Sequence, residues 1–197
     1  GSVNGFIERD DLMSSVAFWY QVEPHKPWPA LPPGTERRPF NEQTLLVGYR
    51  AIPDSRHSEA PLEEQALEAA TDGKQLWFRP ADDQAWIELP FSLEREMTAE
   101  LWVKTLHSWD YGRWRVRVDG QDAGTFDLYN PNITPTPHRI GVHHLTAGAH
   151  TLRFESTGKA SASTGYLLGF DALVARVLVH KRPADFDLRD IQVPRSK

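Results

Sequence analysis

The sequence predicts an all-β fold: an antiparallel, jelly-roll-like β-sandwich with at most one short helix. Three observations point there. Short runs rich in β-branched and aromatic residues recur along residues 41–183 of the 197-residue chain. Turn chemistry separates them, at Asp72-Gly73, Asp119-Gly120 and Thr146-Ala147-Gly148. Within residues 113–118, Trp114, Val116 and Val118 alternate with Arg113, Arg115 and Arg117, the period of a strand with one buried face.

Taken in order, Ser14–Val22 is a β-branched and aromatic run that reads as a strand, and the charged Glu8-Arg9-Asp10-Asp11 before it reads as a loop. Pro24, Pro27, Pro29, Pro32, Pro33 and Pro39 follow. Proline fixes φ and lacks a backbone donor, so this stretch is a stiff, extended connector. Residues 1–40 are therefore a strand plus linker, 41–183 the sandwich, and 184–197 a charged tail. Strands are expected near 44–50, 75–79, 85–91, 98–107, 113–119, 123–129, 137–142, 149–156 and 166–180. Residues 62–70 (LEEQALEAA) have the propensity of a short helix. The apolar run 166–180 suits a central strand. Trp19, Trp77, Trp86, Trp102 and Trp114 fall in strand patterns and are expected in the core. The arginines at 113, 115 and 117 are expected on a solvated face.

Composition excludes several functions. Net charge is −5 with no lysine or arginine run, which argues against nucleic acid. No apolar stretch approaches the roughly 20 residues of a membrane helix. Cysteine is absent, so disulfides, thiolate metal sites and a cysteine nucleophile are excluded. Gly1-Ser2 reads as a cloning remnant, so the missing export signal says nothing about export. The compartment stays open, with an extracellular or periplasmic setting favoured.

Two segments carry a family resemblance. The run Arg9-Asp10-Asp11-Leu12-Met13-Ser14-Ser15-Val16-Ala17-Phe18-Trp19-Tyr20-Gln21, continuing through Glu23-Pro24-His25-Lys26-Pro27-Trp28-Pro29-Ala30-Leu31-Pro32-Pro33, resembles the end of the catalytic region of glycoside hydrolase family 172. That resemblance implies a parent protein acting as an exo-furanosidase and assembling into oligomers. The family's catalytic carboxylates precede this strand, so no catalytic residue is carried over. The second segment, Trp109-Asp110-Tyr111-Gly112 through the Asp119-Gly120 turn, with Ala147-Gly148-Ala149-His150-Thr151-Leu152 and Gly169-Phe170-Asp171, resembles the sandwich attached to that family. More loosely, it resembles carbohydrate-binding modules.

The residues themselves leave three functions open. The first is weak carbohydrate binding by an accessory module. Sugars dock their C–H faces on exposed aromatic rings while polar groups hold the hydroxyls. Trp109, Asp110 and Tyr111 sit together in one inter-strand loop, and Tyr129 and Tyr166 lie in two others; these five are the candidate ligand-binding residues. Packing of Trp109 and Tyr111 at the end of the sandwich, or against the catalytic domain, fits the same residues. The second is a structural module that packs on that upstream domain or drives homo-oligomerisation. The third is a hydrolase fragment, for which Glu8, Asp10, Asp11, Asp110, Asp119, Asp127 and Asp171 are the available carboxyls. No catalytic pair is assigned. Asp171 is expected to bond backbone groups nearby. His138, His143, His144 and His150 lie close in sequence, but adjacent strand residues face opposite ways, so surface or packing roles are expected. No cofactor is expected, although a structural calcium ion is compatible with such a fold.

Overall fold

In a strand, residues two apart share a face, and this period builds a two-layer core here. The computed structural model describes residues 40–178. The predicted strand at 14–22, the proline-rich connector and the tail at 184–197 lie outside the described residues. Among the described residues there are eleven strands: β1 (Phe40–Val47), β2 (Arg56–His57), β3 (Leu62–Ala66), β4 (Lys74–Phe78), β5 (Trp86–Leu93), β6 (Met97–His107), β7 (Arg113–Val118), β8 (Gln121–Asp127), β9 (Thr134–Leu145), β10 (Gly148–Ser156) and β11 (Leu168–Leu178). One sheet runs β3-β4-β11-β6-β9, with β1 also paired to β11; the other runs β2-β5-β10-β7-β8. All these pairings are antiparallel. The antiparallel sandwich is thus as predicted, and β11 is central, with β6 on one side and β4 and β1 on the other.

The core is the meeting of the two inner faces. Leu76, Phe78, Leu101, Val103, Phe170 and Leu173 come from the first sheet, and Ile87, Leu89, Trp114, Val116, Leu152 and Phe154 from the second; all are buried. Two aromatic pairs cross the layers. Phe78 meets Trp114 at 6.1 Å between ring centroids, and Phe154 meets Phe170 at 5.1 Å, both tilted as ring quadrupoles prefer. The β7–β8 hairpin turns on Asp119 and Gly120, both at positive φ (49° and 78°), the two-residue geometry that Asp-Gly favours.

Two expectations fail. Residues 62–70 do not form a helix; Leu62–Ala66 is β3. Local propensity is outweighed by pairing with β4: Glu64 meets Lys74 of that strand and Glu63 meets Arg79 just beyond it, each at 2.9 Å. Of the described tryptophans in strands, only Trp114 is a core residue. Trp77, Trp86 and Trp102 are half-buried on outer faces, each under a guanidinium: Arg79 at 4.5 Å, Arg153 at 4.2 Å and Arg176 at 4.2 Å from the ring. The arginines of β7 do lie on a solvated face, tied to Asp127, Asp122 and Glu155.

His150 clasps two turns of the sandwich. Its Nδ1 lies 2.7 Å from Asp119 Oδ2 and its Nε2 lies 2.8 Å from the Thr146 carbonyl oxygen. Both neighbours are acceptors, so both bonds require the protonated ring. Burial opposes that charge, but Asp119 and the Thr146 carbonyl outweigh it, and the pKa rises above its usual value. A raised folded pKa gives stability that is complete below the unfolded value, about 6.5, and is lost as pH climbs through the folded one. Thermal melts from pH 6 to pH 9 should therefore show the wild-type protein losing more stability than His150→Asn. Parallel pH profiles for the two proteins would refute the clasp.

Candidate functional site

Three loops are sewn together at one end of the sandwich. The β6–β7 loop contains Ser108-Trp109-Asp110-Tyr111-Gly112. Its Ser108 N–H donates to the Leu128 carbonyl (3.1 Å), and the Ser108 carbonyl accepts from Asn130 N–H (3.1 Å), which joins it to the β8–β9 loop. On its other flank the Trp109 carbonyl accepts from Thr164 N–H (3.0 Å) and the Asp110 carbonyl from Leu167 N–H (3.1 Å). Gly112 N–H donates back to the Leu167 carbonyl at 2.9 Å. The first loop thus lies between the other two. Backbone bonds of this kind hold a surface loop in one conformation without a helix or strand to carry it.

Two glycines let the loops approach. A Cβ on Gly165 would sit 2.7 Å from the Asp110 carbonyl oxygen, and one on Gly112 would sit 3.0 Å from the Tyr166 carbonyl oxygen. Neither is in the left-handed region; what they supply is space. Below the loops, Trp114 Nε1–H donates to the Leu167 carbonyl (3.1 Å), anchoring the cluster to the core.

All three loops that the sequence singled out are brought together, but their aromatic residues differ in kind. Trp109 is 49% exposed and is the large aromatic ring open to solvent. Tyr111 is only 4% exposed, which corrects its expected place in a binding platform. Its ring passes over Gly169, where a Cβ would lie 2.6 Å from the Tyr111 hydroxyl, and that hydroxyl accepts from Gln75 Nε2 at 3.1 Å. Burial pushes the Tyr111 phenol up to about 12. Tyr166 is half-buried with the Lys159 ammonium 4.8 Å from its ring centre, so a cation already stands at that ring. Tyr129 is half-buried, and its N–H donates to Asp127 Oδ1 at 3.1 Å. Asp110 is partly buried, and its Oδ1 has no hydrogen-bond partner among the described residues. Ser163 Oγ donates to the Tyr111 carbonyl at 2.7 Å and braces the loop from within.

Neither the protein-family models nor the curated proteins give a match to this chain. Among solved structures, the fold is similar to part of the xanthan lyase of Paenibacillus, with TM-score 0.53 and 21% identity over 76% of this chain and 14% of that one. The GH26-CBM35 β-(1,4)-mannanase of Podospora anserina matches with TM-score 0.49 and 14% identity, over 72% and 28% of the two chains. A family 35 carbohydrate binding module from Clostridium thermocellum matches with TM-score 0.45 and 16% identity, over 70% and 98%. This chain therefore spans a small part of the first two. At such identity the likeness to the lyase shows a shared β-sandwich.

The remaining sequence candidates are committed elsewhere. Asp127 pairs with Arg113 (3.0 Å), and Asp119 holds His150 and Thr151 N–H. Asp171 accepts from Thr71 N–H (2.7 Å) and Thr71 Oγ1 (3.1 Å), a backbone contact as expected but 100 residues away in sequence. Glu8, Asp10 and Asp11 lie outside the described residues. The histidines do not cluster as a quartet: His143 bonds the Ile140 carbonyl, His144 bonds Thr98, and His150 bonds Asp119. A calcium site needs several oxygens converging, and among the described residues no group of three His, Cys, Asp or Glu could hold a metal ion. Sequence reasoning missed Gly112, Gly165 and Lys159. The Gly-Tyr pairs at 112–111 and 165–166 were visible, but the backbone approach that needs them was not.

Proposed function

We propose that this domain is a non-catalytic carbohydrate-binding module, with Trp109 as the ring on which a sugar face docks. The observation that carries this reading is an exposed indole on a loop fixed from both sides. Isolated exposed aromatics are common on protein surfaces. A rigid one costs little ordering entropy when a ligand lands on it. Asp110 beside it, and the polar Asn130, Asn132 and Thr164 of the flanking loops, can accept from and donate to hydroxyls. The likeness to part of a xanthan lyase is in keeping with a module carried by a larger enzyme. The resemblance of residues 9–33 supports a parent of the furanosidase type, glycoside hydrolase family 172, whose catalytic region would be the module's partner in the chain.

A panel of polysaccharides, with fructans and arabinans among them, tests the reading by affinity electrophoresis and calorimetry. At least one should bind. Trp109→Ala should weaken that binding about tenfold or more, ~1.4 kcal/mol, without moving the melting temperature. Binding that is indifferent to Trp109, or no binding across the panel, defeats the proposal.

A further inference from the structure

A cavity of about 320 Å³ lies against the first sheet, and the reading above makes no use of it. Residues of β6, β9 and β11 line it, together with residues 69–71 of the segment between β3 and β4. Two of its lining residues, Lys104 and Arg176, alternate along their strands with the core residues Val103 and Ala175. They therefore stand on the face turned away from the core. Trp109 is not part of the lining. The volume falls at the small end of the ~300–1,000 Å³ range of ligand sites, room for one sugar ring rather than a chain.

Three threonine hydroxyls line the cavity, and each spends its proton within the protein. Thr71 Oγ1 donates to Asp171 Oδ2 (3.1 Å), Thr105 Oγ1 to the Thr136 carbonyl (3.2 Å), and Thr136 Oγ1 to the Thr134 carbonyl (3.3 Å). What they offer a guest is oxygen lone pairs. Asp171, itself buried, adds to these. Its two oxygens take one bond each from Thr71, and a carboxylate has about four lone-pair positions. The donor is Lys104, whose ammonium spends one N–H on Glu42. Glu42 also accepts from Arg176 Nε at 3.1 Å, so one carboxylate serves both cations. An anionic guest would meet Asp171 and the threonine lone pairs. An ammonium guest would meet Lys104 and Arg176. A vicinal diol suits both sides: its O–H groups donate to the threonines and Asp171, and its oxygens accept from Lys104. The exposed rings of Pro135 and Pro137 at the same cavity give sugar C–H groups an apolar surface. We propose that this cavity is a second ligand site, separate from Trp109, which takes one uncharged sugar ring through a vicinal pair of hydroxyls. It stands whether or not Trp109 binds a glycan.

The test is titration of the full chain, carrying Trp109→Ala, with glucose, galactose, mannose, xylose, arabinose and fructose at millimolar concentration, followed by amide chemical shifts in nitrogen-15 NMR. That background silences the first site, so the two proposals fail separately. At least one sugar should move the amides of Thr71, Thr105 and Thr136 with a saturable profile. Lys104→Met removes the donor and leaves Glu42 with Arg176. Thr136→Val removes an acceptor from β9, the outermost strand of its sheet. Each should weaken the sugar about fivefold or more, the scale of one lost hydrogen bond. Sodium glucuronate, a sugar ring bearing a carboxylate, should bind more weakly than glucose. The spectra also report which variant is folded, and one folded variant suffices. The proposal is overturned if no sugar of the panel moves these amides, if binding persists unchanged in a folded variant, or if glucuronate binds more tightly than glucose.

Discussion

Trp114→Ala is expected to cost about 3–5 kcal/mol, the range for emptying a fully buried tryptophan site. The side chain is 1% exposed and faces Phe78 across the layers. Its removal opens a cavity that a well-packed sandwich closes only in part. A second loss follows, because the Leu167 carbonyl loses its bond to Nε1. That carbonyl also accepts from Gly112 N–H, so the bond lies directly under two of the site's loops. Chemical denaturation should show the large drop, and glycan affinity should fall with it. Trp114→Phe keeps most of the apolar area but not the donor, so it should lie between the two proteins in stability. Trp109→Ala should show the reverse profile, weak binding at full stability. If Trp114→Ala were as stable as the wild type, the assignment of the core would be wrong.

The contrast between these two tryptophans marks how far the sequence could be read. Trp114 was legible because it alternates with three charged neighbours, and a period of two leaves one face for the core. Trp77, Trp86 and Trp102 sit in equally strand-like runs but lie on outer faces. Their burial is decided by an arginine two residues on at Trp77, and by arginines on neighbouring strands at Trp86 and Trp102. The second kind of partner cannot be seen from local pattern. Residues 62–66 show the same limit: their composition favours a helix, while Lys74 on β4 and Arg79 just after it make them a strand. At the site, the three loops were legible from their aromatic residues, Trp109 and Tyr111, Tyr129 and Tyr166. Which ring stays exposed was not, since Tyr111 is buried by Gly169 and Gln75, residues far along the chain.

Gly165→Ala should separate binding from folding in the other direction from Trp114→Ala. The new methyl would lie 2.7 Å from the Asp110 carbonyl oxygen and 2.9 Å from Leu167 Cδ1. The oxygen belongs to backbone and is engaged by Leu167 N–H, so it cannot swing aside as a side chain would. The β10–β11 loop must therefore move off the Trp109 loop. Overpacking of this kind costs about 1–3 kcal/mol, but here the movement falls on the loop that holds the binding ring. Glycan affinity should drop about tenfold or more, with a smaller effect on melting. Gly120→Ala is the matched control. Its φ of 78° strains any side chain, yet nothing lies within 4 Å of the added carbon, and it belongs to the β7–β8 hairpin rather than the three loops. It should cost about 1 kcal/mol through backbone strain alone and leave binding intact. Should Gly165→Ala bind as tightly as the wild type, the sewn loops would not be what fixes Trp109. The platform would then have to owe its rigidity to a ligand or partner arriving from outside.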